Sequence, residues 1–139
     1  MTDIFDTLAA NDNMIKLTRA IKVAGMDAKL QGAESFTLFA PDDNAFVRMD
    51  IEKEIEDPDK LRSILAYHLV SGKHSAAEIR NMEELETTAG KKLTITLDEG
   101  EVVVDNGKFV RTDIECSNGI IHIVDNVFKP NLSGWYRDE

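Results

Sequence analysis

An intrachain disulfide is excluded, because Cys116 is the only cysteine. A multi-cysteine zinc site is excluded for the same reason, and a lone thiol fits a reducing compartment. Basic residues are scarce: 16 Lys plus Arg stand against 26 Asp plus Glu, for a formal charge of −10 over 139 residues. The longest basic run is Lys91-Lys92, so nucleic acid, which needs a clustered cationic surface, is not an expected partner. An anionic membrane surface is disfavoured on the same grounds. Apolar runs fall well short of membrane-crossing length, so the chain is not expected to span a bilayer. The opening MTDIFDTLAA carries Asp3 and Asp6 and no basic stretch, unlike a secretory signal. If Met1 is the native start, the expected location is the cytoplasm.

What is present is a normal globular composition. Hydrophobic residues make up 42% of the chain, and the length suits one domain with a core of its own. Ile4, Phe5 and Leu8 suggest a short helix. Asn13 is placed to cap a second one, with Leu17, Ala20, Ile21 and Ala24 on one face and Gly25 as its stop. Asp57-Pro58 opens a helix carrying Leu61, Ile64, Leu65 and Leu69. Ser75 and Glu78 form a capping box for a short helix to about Met82. The second half then alternates. Leu93, Ile95 and Leu97 form one face of a strand, Asp98-Glu99-Gly100 turns, and Val102 to Val104 follows. Asn106-Gly107 is a strong hairpin signal, since a type I′ turn needs positive φ at both positions. Asn118-Gly119 turns into Ile120–Val124, which is apolar on both faces and therefore a central strand. The pattern is α+β: helices first, an antiparallel meander behind.

Three blocks give this outline a more specific meaning. Thr37 to Phe46, TLFAPDDNAF, joins a buried strand to Pro41, which cannot donate to a ladder, and then to Asp42 as an N-cap and Asp43 in the first turn. Tyr67-His68 lies near the C-terminal end of the helix that starts at Pro58, where the dipole favours a cation. Asn118 to Pro130, NGIIHIVDNVFKP, places His122 among apolar neighbours, so its ring nitrogens need specific partners. Together these blocks resemble the signatures of the fasciclin-like domain. The resemblance implies a fasciclin-like α+β fold over residues 1–130, N-terminal helices packed on an antiparallel β-sandwich or wedge, with a tail over 131–139. It also implies a non-enzymatic cell-adhesion or protein-interaction module without cofactor or metal, whose partner is a protein of a cell surface or matrix. For a chain trimmed from a longer one, that means an extracellular or cell-surface location. The tyrosine–histidine pair and the Asp113-Ile114 dipeptide match positions linked to integrin contact in extracellular relatives. The expected contact surface is thus Tyr67, His68, Asp113 and Ile114, framed by Thr37, Asp43 and His122 through buried hydrogen bonds. Blander readings stand beside these. His68 can be a structural histidine held near a helix end, with Asp43 as a candidate partner, and Asp113 a solvent-facing residue beside an inward Ile114.

Enzymatic signatures are missing: there is no G-x-S-x-G elbow, phosphate-cradling loop, H-E-x-x-H helix or dinucleotide fingerprint. The spacing of His68, His74 and His122 selects no metal. Cys116, His122 and Asp113 suggest a nucleophile, base and orienter on paper, but strand alternation turns Cys116 inward as a structural thiol. The alternative function is a cytoplasmic small-molecule binder or hydrolase using a pocket near His68. In the tail, Asn131-Leu132-Ser133 is a glycosylation sequon by pattern. Trp135 and Tyr136 either fold back onto the domain or offer a contact for self-association.

Overall fold

The computed structural model describes residues 2–32, 34–49, 58–105 and 107–128. Pro130, the 131–139 tail with its sequon and aromatic pair, Asp57 and Asn106 lie outside them. Helix α1 (Ile4–Ala9) starts at Asp3, whose carboxylate accepts the Asp6 amide at 2.8 Å. Helix α2 (Ile15–Ala24) buries Leu17, Ala20, Ile21 and Ala24 and ends at Gly25 in a left-handed conformation, φ +73. Its start differs from the expectation. No local side chain caps it; instead the Asp43 carboxylate, 27 residues on, accepts the Lys16 amide at 2.8 Å, and the Asp43 amide donates to the Asn13 carbonyl. A short α3 (Asp27–Leu30) follows.

Strand β1 (Phe36–Pro41) is buried along its whole length and leads into α4 (Asp43–Met49). Asp42 caps that helix, accepting the Ala45 amide at 2.9 Å. Helix α5 (Pro58–Ala66) buries Leu61 and Leu65. Leu69, expected on its apolar face, belongs instead to β2 (Leu69–Ser71), because the chain unwinds at Tyr67 to pair with β1. Helix α6 (Ala76–Arg80) has the expected Ser75 cap, bonded by the Glu78 amide at 3.2 Å. Then come β3 (Glu84–Glu86), β4 (Lys92–Asp98), β5 (Glu101–Val104), β6 (Gly107–Cys116) and β7 (Gly119–Val124). Val104 pairs with Gly107, which fits a two-residue hairpin whose first member, Asp105, has φ +56.

The seven strands form one mixed sheet in the order β2-β1-β7-β6-β5-β4-β3. Five of the six pairings are antiparallel, but β1 and β7 run parallel, from Phe36↔Gly119 to Pro41↔Val124. No hairpin links these two strands, so nothing local dictates their direction. β7 is central, between β1 and β6. Their approach is close: a Cβ at Gly119 would stand 2.1 Å from the Phe36 carbonyl oxygen, which only glycine permits. The adjoining Asn118 ties the helices down. Its Oδ1 accepts the Ile4 amide at 2.9 Å and its Nδ2 donates to the carbonyls of Leu30 and Gly32 at 2.7 and 3.2 Å.

Two cores result. One lies between α1–α5 and the sheet. The other draws Phe39, Val70, Leu85, Leu93, Ile95, Val104 and Val124 from six different strands, with Tyr67, Ile79 and Phe128 beside them. One sheet face can contribute to a shared core from both its edges only if it curls. The closing contact is visible at the edges, where the Thr88 amide, just past β3, donates to the Leu69 carbonyl of β2 at 2.8 Å. The fold is therefore an α+β wedge whose sheet is nearly closed.

Candidate functional site

His122 sits inside this wedge, fully buried on β7, between the rings of Phe39 and Phe109 at centroid distances of 5.8 and 5.3 Å. Its Nδ1 accepts the Asp113 amide at 3.1 Å, so Nε2 carries the proton and donates to the His74 carbonyl at 2.8 Å. Burial lowers its pKa, opposed first by the His74 carbonyl and then by the charge of Asp113. The neutral ring is thus the species that fits both bonds. From His74 the network continues: its amide donates to Thr37 Oγ1 at 2.8 Å, and that hydroxyl donates to the Gly72 carbonyl at 2.7 Å. The His74 side chain stays on the outside, its Nδ1 2.5 Å from Glu78 Oε2 and Nε2 3.2 Å from the Ser71 carbonyl.

At the other end of this network is Asp113, exposed on β6, where the pairing with β7 is irregular between Arg111 and Ile114. Its φ of +58 is left-handed, a conformation that Asp tolerates better than most residues but that still costs about 1 kcal/mol. Two bonds hold it there. His122 receives its amide, and its own Oδ1 accepts the Ala76 amide at 2.9 Å. Ile114 is partly buried and packs against the helix-side core. The two side chains of the dipeptide therefore serve different neighbours: Asp113 meets the loop before α6, Ile114 the helix-side core.

Tyr67 and His68 are each only 1% exposed, so the contact role expected for them does not fit their positions. The cause is the early end of α5. Unwinding at Tyr67 turns both side chains into the wedge rather than along a solvent-facing helix. Tyr67 Oη lies 3.3 Å from Asp105 Oδ2 and 3.4 Å from the Lys92 carbonyl. Burial raises the pKa of Asp105, while the hydrogen bond from Tyr67 works the other way. His68 Nε2 accepts the Phe128 amide at 2.8 Å and Nδ1 donates to the Ile64 carbonyl at 2.7 Å, which fixes the opposite tautomer from that of His122. Phe128 stacks on its ring, 4.7 Å between centroids and 6° between planes. Burial pushes the His68 pKa down to about 4, against the pull of the Ile64 carbonyl.

Asp43 takes no part in either histidine's bonding; its carboxylate caps α2. Of the expected frame, Thr37 and His122 share one network, while Asp43 stands apart. The sequence reading missed His74, whose contribution is its backbone, and a backbone amide and carbonyl leave no trace in residue type. It also read Asn118 merely as a turn residue. Both nitrogens of His122 and of His68 are engaged, so neither ring is free to act as a base toward Cys116 or a substrate. Cys116 is itself fully buried, and burial raises its pKa, away from the thiolate a nucleophile needs. Among the described residues, no three His, Cys, Asp or Glu side chains gather as a metal site, and no helix is long and apolar enough to cross a membrane.

An α+β wedge with a nearly closed mixed sheet is the fold of a fasciclin domain. The fasciclin domain model matches residues 12–130, and the chain belongs to that family. Among curated proteins it is 35% identical over 134 residues to protein sll1483 of Synechocystis sp., an alignment covering 93% of this chain and 74% of that one. It is also 31% identical over 117 residues to human periostin, covering 79% of this chain but 14% of periostin. The fold matches, at a TM-score of 0.78 and 21% identity, the FAS1 domain pair of the insect cell adhesion molecule fasciclin I. That match spans 94% of this chain and 52% of the pair.

Proposed function

We propose that this chain is a non-enzymatic adhesion or protein-interaction module, and that a protein of a cell surface or matrix docks on it at Asp113 and Ile114. One observation carries this reading. Asp113 is exposed and left-handed, yet bonds from a buried side chain and from a loop amide both fix it in place. An ionisable residue held in an unfavourable conformation at the surface, with a buried polar network behind it, is a preorganised contact. Its carboxylate can pair with a partner's cation or complete a partner's metal site. Tyr67, His68, Thr37 and His122 then act from inside, by fixing the wedge that presents it. Fasciclin I, whose domain pair shares this fold, is a cell adhesion molecule.

The test is attachment of a fasciclin-adherent cell type, or of matrix protein, to immobilised Asp113→Asn and Asp113→Ala. Asparagine keeps the left-handed conformation and an acceptor for Ala76 while removing the charge, so Asp113→Asn should stay folded and lose most attachment. Full attachment by a folded Asp113→Asn would remove Asp113 from the site.

A further inference from the structure

A cleft of about 470 Å³ opens between α3, the C-terminal half of α5 and the turn after β3, lined by Met26, Lys29, Arg62, Ser63, Ala66, Thr88 and Ala89. It shares no residue with the Asp113 surface and does not depend on that reading. Its size falls in the roughly 300–1,000 Å³ of small-molecule sites. Three features distinguish it. First, its floor is apolar: Met26 is buried, and Ala66 and Ala89 are partly so. Second, its walls are fixed. Thr88 Oγ1 donates to the Ala66 carbonyl at 3.1 Å and the Thr88 amide to Leu69 at 2.8 Å, which locks the β3–β4 turn against the end of α5.

Third, its charge runs against that of the protein. The chain carries −10, yet the described lining holds two cations and no carboxylate. The clefts under Ala76 and beside Ile114 include acidic residues, Glu101 and Asp125 in the first and Asp12 in the second, while a smaller one of about 380 Å³ along α2 shares the cationic lining through Arg19 and Lys22 but not the buried apolar residue or the bonded walls. Arg62 pairs with Asp59, an exposed pair of side chains at 51% and 92% exposure, so water already competes for that contact. Lys29, which lines the cleft, is exposed and lies over the face of Phe36 with its Nζ 5.5 Å from the ring centroid.

From these features we infer that the cleft binds an amphipathic monoanion, a small carboxylate with an apolar body. The apolar part would lie over Met26, Ala66 and Ala89, and the carboxylate would be met by Arg62 and Lys29. A neutral ligand of the same body would forgo the charge-assisted bonds, and a cationic one would face repulsion.

Titration of the full-length protein with octanoate, 1-octanol and octylammonium, followed by amide shifts and calorimetry, decides the matter. Octanoate should move the amides of Met26, Ser63, Ala66, Thr88 and Ala89 and bind about tenfold more tightly than octanol, with octylammonium weakest. Arg62→Gln and Lys29→Gln, both surface changes, should each weaken octanoate several-fold and leave octanol unaffected. Ala89→Phe, folded by its amide spectrum, should exclude both. Equal affinity for the three ligands, unchanged octanoate binding in Arg62→Gln, or no saturable shift at millimolar octanoate would each overturn the inference. Tighter octanoate binding in Trp135→Ala would assign the cleft to the chain's own tail and overturn it too.

Discussion

His68 and His122 are both buried, neutral and engaged at both ring nitrogens, and both lie beside the same cluster of phenylalanine rings. Phe39 contacts His122 and Phe128, and Phe128 stacks on His68. What they join is different. His68 bonds the last turn of α5 to the backbone of Phe128, so it closes the molecule upon itself. His122 bonds the His74 carbonyl and the Asp113 amide, so its far side is an exposed residue in a strained conformation. The same chemical group, buried to the same degree, seals the fold in one place and presents a surface in the other. Burial of a titratable group therefore does not by itself mark a functional site.

The comparison can be broken by removing each ring. His68→Ala leaves the Phe128 amide and Ile64 carbonyl without partners and opens a cavity beneath Phe128, which should cost about 4 kcal/mol in denaturant unfolding. Cell attachment by the fraction still folded should be unchanged. Acid should act on the same residue. Unfolded His68 titrates near 6.5 and the folded one near 4, so between these values the unfolded chain takes up the extra proton. Stability should then be full above about pH 6.5, fall as pH drops toward 4, and lose about 3 kcal/mol from this group. His122 adds a loss of the same sign, since its folded pKa is also lowered. Thermal melts across that window, with His68→Phe as control, check this: the phenylalanine variant should decline less steeply.

His122→Ala should be milder in stability, about 2 kcal/mol, because water can enter beside Phe109, which is only partly buried, and reach the stranded groups. It should, however, free the Asp113 backbone, seen as faster amide exchange at Asp113, and reduce attachment together with it. If His68→Ala impairs attachment as much as His122→Ala does in equally folded samples, the distinction between the two fails. The smallest effect belongs to Asp43→Ala, which removes the cap of α2 and touches neither ring. About 1 kcal/mol of stability, with normal attachment, is the expected result.

Local signals proved good guides to local structure. Gly25 stops α2, Asp42 caps α4, Ser75 caps α6, and the apolar runs fall in the core, because each depends on groups a few residues apart. The departures share one cause. Leu69 matched the period of α5 but was drawn into β2 by pairing with Leu38, and the cap of α2 came from Asp43 rather than Asn13. Partners supplied from far along the chain prevailed over nearby ones.

Composition and the three motif blocks by themselves determined the family, the α+β class and the centrality of β7, since hydrophobic periodicity and turn chemistry are written into neighbouring residues. Only the tertiary structure decided that β1 runs parallel to β7, that Tyr67 and His68 face inward, and that the His74 backbone links Thr37 to His122. Those outcomes hang on which distant backbone amides and carbonyls meet when the sheet curls, and every residue type carries the same amide and carbonyl save proline.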